Sequence, residues 1–521
     1  MHLKRSVGQI LMIGIKGSVL DSDTRNHLKK ISPGGVILFS RNIINRDQVC
    51  LLIKDIKETV QPHPLIAIDQ EGGLVVRFFK DVAVMPGNMA LGAVGSADYS
   101  SEQGKLMARE LKSIGFDVNL APVVDVVTGY DNPGITIRAF GADRERVAVL
   151  GAGFIHGTQS VGISAVAKHF PGKGTAIVDP HFDLPTINLS YEEMVRTHLY
   201  PFQKCIEADV QGIMSSHVIY EHCSKPEKIP ATFSSGLINS LLRGTMKFKG
   251  VIFSDDLEMG AIRRYFPFED AVAKTVRAGH DMLLICSDYE KQRRAYHSLV
   301  NTCKRDKAML DKVCESVGRI DQMRKFSSTA MPSENISFEA NGLELARKIA
   351  GKSITVLNGH VPLPINFVEN KKILAIVPDL SKLESIEEGF EKGRNNFIQQ
   401  ILQKSFFVSL QTEFLSLQAC HEELEKVWEY SKKADLVLAF IFNAKFIDGQ
   451  RLLLEKLSAI PQKTIFVVIR NPFDIEFVSP EITTVITYGY RKVQISAALK
   501  VLKGEISAEG KLPFESRRTE C

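Results

Sequence analysis

Three groups of residues have the types and spacing to carry chemistry. Asp255 and Asp256 follow the apolar run Val251-Ile252-Phe253, and on an extended segment consecutive side chains point to opposite sides. One of the two is a candidate nucleophile, with a helix N-cap as the competing role for either. Asp179 and His181 stand two apart around Pro180. An imidazole titrates near neutrality and a neighbouring carboxylate can orient it, so the pair suits an acid/base dyad. Asp-Pro equally favours an Asx-type turn with the His in solvent. Lys168 and His169 end the mostly apolar run Ile163–Ala167; they can donate hydrogen bonds to a ligand, or His169 can be a buried core residue. Asp69 as acceptor, with Arg77 and Arg138 as donors, completes a set matched to a polyhydroxylated ligand such as a sugar.

These residues need a frame, and the pattern to about residue 325 supplies one. Short apolar runs alternate with amphipathic segments, which predicts strands at 10–15, 35–39, 65–69, 118–121, 164–169, 212–215, 250–254 and 282–285. Helices are expected between them, among them 46–59, 101–114, 144–158, 191–207, 234–242, 268–278 and 288–302. Eight strands with interleaved helices point to a (β/α)8 TIM-like barrel, whose chemistry sits at the carboxyl ends of the strands. Polar residues collect there: Asp69-Gln70-Glu71-Gly72-Gly73, Asn119 and Asp125, Lys168-His169, His217, and Asp255-Asp256.

Residues 326–340, rich in Ser, read as a linker, dividing a catalytic barrel (1–325) from a smaller C-terminal α/β sandwich domain (341–521). In the latter, strands are expected at 353–357, 373–377, 436–442, 464–469 and 483–487, with helical material at 341–349, 384–404 and 415–433. Neither part contains a GxGxxG or Walker loop, so no nucleotide site is supported.

Composition narrows the function classes. A formal charge of +5 over 521 residues, without blocks of like charge, implies no nucleic-acid partner. The eight cysteines show neither CxxC pairs nor close Cys/His ligand spacing, so neither zinc nor a disulfide framework is expected; free thiols point to the cytoplasm. The N-terminal run is broken by Gly8, Gln9 and Gly14 and is not read as a signal peptide, and no apolar stretch of about 18 residues predicts a membrane span.

Seven segments in order then carry a resemblance: IDQEGGLVVRF (68–78), NLAPVVDV (119–126), IRAFGAD (137–143), AKHFPGKGTAIVDPH (167–181), IMSSH (213–217), PATFSSGLINSLLR (230–243) and VIFSDDLEMGAI (251–262). Together they resemble the bacterial β-N-acetylglucosaminidases of glycoside hydrolase family 3 (NagZ type), in a two-domain form. The resemblance implies that Asp255 is the nucleophile, that His181 with Asp179 is the acid/base on a flexible loop, and that Asp69, Arg77, Arg138, Lys168 and His169 hold a terminal N-acetylglucosamine. It further implies a retaining exo-hydrolase acting on peptidoglycan fragments (muropeptides), with no cofactor or metal. Phosphorolysis, β-glucosidase activity and an inactive sugar-binding homologue are the alternatives. Lys173, Leu74 and Pro180 depart from the family pattern, which commonly has His, Arg and Ser at those places.

Overall fold

The computed structural model describes residues 3–223, 228–328, 338–366, 372–381, 397–405 and 409–516. Eight short parallel strands lie in the order β7-β6-β5-β4-β3-β2-β1-β8. They are β1 (Leu11–Gly14), β2 (Gly35–Leu38), β3 (Leu65–Ile68), β4 (Val118–Asn119), β5 (Ser164–Phe170), β6 (Gly212–Ser215), β7 (Val251–Phe253) and β8 (Leu283–Ile285). Every residue of these strands is buried, as expected when helices cover one face of a parallel sheet and strand side chains fill the other. All eight fall within a few residues of the expected positions.

Closure is nearly complete. A single parallel bridge, Phe253 to Met282, joins β7 to β8. Beside it the buried Asp281 carboxylate accepts from the Ile252 amide at 2.8 Å and Ser316 Oγ at 2.9 Å, and pairs with Arg243. Side chains thus complete the seam where the ladder is short.

The outer helices begin where the sequence supplies oxygen acceptors for their first amides. Asn45, Asp143 and Asp288 accept from Gln48, Glu145 and Glu290. The expected helix at 191–207 is one rod with a π-type turn at Met194–His198 between Tyr191–Glu193 and Leu199–Glu207. Helices at Leu3–Gln9, Ser22–Ile31 and Lys307–Ser327 add to the seven anticipated.

A second, six-stranded sheet follows: β9 (Thr355–Leu357), β10 (Lys372–Asp379), β11 (Ser409–Ser416), β12 (Leu436–Ile441), β13 (Thr464–Val468) and β14 (Thr483–Ile486), in the order β9-β14-β13-β12-β10-β11. All pairs are parallel except β9 with β14. β11 corrects the expected helical start at 415, because Leu415 and Ser416 complete a strand and the helix begins at His421. Of the expected linker, residues 329–337 lie outside the described residues, and a helix spans Phe338–Ser353. Residues 384–396 of the expected helix 384–404 also lie outside them; its described part is Phe397–Ser405. No helix among the described residues is long and apolar enough to cross a membrane.

Candidate active site

The carboxyl end of β3 holds Asp69 and Glu71, and Lys168 near the end of β5 ties them together. Lys168 Nζ lies 2.7 Å from Asp69 Oδ1 and 2.7 Å from Glu71 Oε1. Arg138 arrives on the loop after β4 and donates to both Glu71 oxygens, at 2.8 and 2.9 Å. Burial opposes ionisation of Glu71, but the two cations outweigh it and hold the carboxyl down to about 2. This buried ion network fixes one wall of the barrel mouth. The Arg77 guanidinium lies 5.7 Å from the Phe39 ring centroid, and its amide donates to Gln70 Oε1 at 3.0 Å.

A second group forms behind β5. His169 Nδ1 lies 2.8 Å from Asp125 Oδ2, and the Lys173 amide donates to Asp125 Oδ1 at 2.6 Å. Burial and then the Lys173, Arg138 and Lys168 cations hold His169 well below its usual range, so its ring is neutral at pH 7 and Nδ1–H is the donor to Asp125. Burial raises Asp125 to about 6, against the pull of Lys173.

After β5 the chain leaves the barrel as an arm, residues 171–189. Here the two alternatives for Asp179 coincide. Its Oδ1 accepts from the His181 amide at 3.0 Å, an Asx turn, and lies 2.7 Å from His181 Nδ1. The turn is what builds the pair, and with Nδ1 committed, Nε2 is the nitrogen left for proton exchange. Burial opposes ionisation of Asp179, but the His181 hydrogen bond and charge, with Lys173, hold it well below the usual carboxylate range.

The arm docks on the segment after β7. The His181 carbonyl accepts from Gly260 N at 3.2 Å, the Pro180 carbonyl from Ala261 N at 3.0 Å, and Tyr265 donates to Asp183. Gly260 is required for this approach, because a Cβ there would stand 2.5 Å from the His181 carbonyl oxygen. Docking brings the arm to the consecutive aspartates, which divide as an alternating strand end demands. Asp256 Oδ1 accepts from the Glu258 and Cys286 amides at 3.2 and 3.3 Å, closing a turn and not capping a helix, since the next helix, Gly260–Arg263, has Met259 at its N-cap; burial with the Glu258 charge raises Asp256 to about 7. Asp255 lies in the field of Lys173, His217 and His181; burial opposes its ionisation, yet these charges lower its pKa. An ionised carboxylate facing an Asp-oriented imidazole can attack an electrophilic carbon while the imidazole protonates the leaving oxygen.

The structure thus gathers Asp69, Arg138, Lys168, His169, Asp179, His181 and Asp255 in one mouth. Sequence reasoning assigned no role to Glu71, Asp125, Lys173 or His217. Glu71, Asp125 and His217 carried a signal, a polar residue at or just after a strand end. Lys173 drew notice only as a departure, although it is 3% exposed and its largest attractive charge is Asp255. His217 is held by Thr232 Oγ1 at 2.7 Å and the Asp256 carbonyl at 3.0 Å. Among the described residues no cluster of three or more His, Cys, Asp or Glu could hold a metal ion.

Comparison with known proteins extends this geometry. The glycosyl hydrolase family 3 N-terminal domain matches residues 2–323. A beta-hexosaminidase of Tolumonas auensis is 38% identical over 281 residues, 53% of this chain and 83% of that protein; one from Stenotrophomonas maltophilia is 37% identical over 283, with 53% and 83% covered. Among solved structures, a family 3 beta-N-acetylglucosaminidase from a Paenibacillus species superposes with a TM-score of 0.91 at 31% identity, covering 100% of both chains. A beta-glucoside phosphorylase, BglX, shares the fold at a TM-score of 0.79 and 19% identity, covering 98% of this chain and 93% of that one. With its N-terminal family domain matched over more than half its length, the chain belongs to glycosyl hydrolase family 3 and is a glycoside hydrolase.

Proposed function

We propose that the protein is a retaining exo-β-N-acetylglucosaminidase that releases terminal N-acetylglucosamine from peptidoglycan fragments in the cytoplasm. The observation that carries this reading is the Asp179–His181 pair, 2.7 Å apart, on an arm hydrogen-bonded to the segment after Asp255. The names of the beta-hexosaminidase and beta-N-acetylglucosaminidase relatives support the sugar. Asp255 attacks the anomeric carbon and the glycosidic bond breaks as His181 Nε2 passes its proton to the leaving oxygen. The neutral imidazole then takes a proton from water, whose oxygen displaces Asp255, so two inversions give retention. Asp69, Lys168, His169 and Arg138 hold the sugar hydroxyls and acetamido group, with Glu71 fixing Lys168 and Arg138 and with Arg77 completing the donor set. The barrel of residues 1–325 is the catalytic domain and residues 341–521 a supporting one. The seven described cysteines, all free thiols, suit a reducing compartment.

Aryl β-glycosides that differ only in the 2-substituent test the sugar. The 2-acetamido compound is the expected preferred substrate, and equal turnover of the glucoside sinks the assignment. Asp255→Ala tests the nucleophile on the same substrate, with a loss of about 10⁴-fold or more expected; near-parental turnover removes Asp255 from the role. In His181→Ala the loss grows as the leaving group becomes poorer, and a uniform loss argues against proton donation.

Lys173 favours phosphorolysis as a second reading. Among the described residues no carboxylate oxygen lies within ion-pair distance of its ammonium, and a cation there would favour an anionic acceptor over water. Formation of N-acetylglucosamine 1-phosphate in phosphate buffer would support it, and its absence rejects it.

A further inference from the structure

Open α/β sheets place ligands just outside the carboxyl ends of their strands. In the second sheet the segments leaving β12 and β13 are loaded for such a role. Asn443, Lys445, Arg470, Asn471, Asp474 and Glu476 come from these two segments, and Arg470, Asn471 and Asp474 are at most 5% exposed. Asn471 Oδ1 accepts from the Phe473 amide at 3.2 Å and Asp474 Oδ1 from the Lys445 amide at 2.9 Å, so the two segments are locked to each other.

What they hold is the barrel's own loop between β4 and the helix Arg144–Gln159. Tyr130 stacks on Phe473, with ring centroids 4.4 Å apart and planes at 9°, and its hydroxyl donates to the Glu515 carbonyl at 2.8 Å. Lys445 Nζ pairs with Asp131 at 3.0 Å and Glu476 at 2.7 Å. The Ala142 amide donates to the Pro513 carbonyl at 2.9 Å. Arg470 Nη1 reaches furthest in and donates to Thr136 Oγ1 at 3.0 Å. Thr136 has φ of 35°, left-handed backbone that a β-branched residue rarely adopts. It lies two residues before Arg138, which grips Glu71.

We infer that Arg470 is a positioning residue for the sugar grip: by holding Thr136 in its strained conformation, the second domain aims Arg138 into the Glu71–Lys168 network. Arg491 acts in the same direction on the other partner, donating from Nε to the Gly73 carbonyl at 2.8 Å, two residues beyond Glu71. The second domain therefore contributes to sugar affinity. This rests on the reading that Arg138 holds the sugar.

The experiment measures the inhibition constant of N-acetylglucosamine, kcat and thermal midpoint for Arg470→Met, Thr136→Val, their double variant and Arg138→Met. Arg470→Met and Thr136→Val should each weaken N-acetylglucosamine by about five- to twentyfold, with kcat changed less than about threefold and the double variant no weaker than either single one. An unchanged inhibition constant in Arg470→Met with a lowered thermal midpoint overturns the inference and leaves a structural contact. Single effects that multiply in the double variant overturn the Arg470–Thr136 link. If Arg138→Met itself binds N-acetylglucosamine as the parent does, the sugar-grip reading fails instead, whatever Arg470 does.

Discussion

The end of β5 and the arm that follows it are one continuous stretch, 164–189, built on opposite physics. Lys168 and His169 are 2% and 3% exposed and pinned by carboxylates from β3 and the β4 loop. Between ends anchored by Asn132 Nδ2 on the Lys173 carbonyl and by the Ile219 amide on the Pro185 carbonyl, the tip of the arm exposes Ile177, Val178 and Phe182, and two backbone bonds and one tyrosine hold this tip to the segment after β7. Groups that grip a ligand profit from a frame that is already ordered, since no entropy is lost on binding. A group that moves a proton must reach its atom and withdraw, and a lightly held segment permits that. Stability and activity should therefore separate between the two regions.

The largest effect is expected at Lys168. Lys168→Met leaves Asp69 and Glu71 without their shared cation, costing about 3 kcal/mol of folding stability together with sugar binding, to be read by denaturant unfolding and by KM. His181→Ala should leave stability within about 0.5 kcal/mol of the parent; equal destabilisation by both variants would break the contrast. Next comes Gly260→Ala, whose new Cβ displaces the arm. Activity should fall about 10- to 100-fold with little change in unfolding, and a parental kcat would show that docking is dispensable.

Lys173→Met sharpens the comparison at the point where arm and barrel meet. The Lys173 charge favours ionised Asp255 against the opposing effect of burial, so removing it raises the Asp255 pKa. The acid limb of kcat/KM should move to higher pH by about one unit. A pH–rate profile with an unmoved limb would separate Lys173 from Asp255. Smallest is Tyr265→Phe, which loses one exposed bond to the arm and should cost no more than about threefold in kcat; a loss as large as that of Gly260→Ala would mean the tyrosine is the main hold.

Much of this was legible because its signals are local. Period and apolar runs located all eight barrel strands, and polar residues at their ends marked Asp255, Lys168 and His169. Glu71 stood in view beside Asp69, but nothing in the sequence says that its partners come from residues 138 and 168. Lys173 looked like a substitution, and only folding shows that it is buried facing Asp255. β11 was missed because Ser-Leu-Gln-Thr-Glu-Phe-Leu-Ser is a weak edge pattern, paired on one side by β10. Arg470 drew no role from the sequence, its partner Thr136 lying more than 330 positions away.

Pro180 gives the arm a further property. Its contact with the barrel is made through its carbonyl, so the missing amide hydrogen removes nothing from the docked position. In every undocked position the pyrrolidine ring still limits the conformations open to the chain. Fewer alternatives have to be surrendered when His181 is brought to the site, a bias of about 0.4–1 kcal/mol toward the docked population. In the proposed mechanism, Pro180 thus acts on the ensemble the arm leaves, and the chemistry it flanks would inherit a higher standing fraction of competent enzyme.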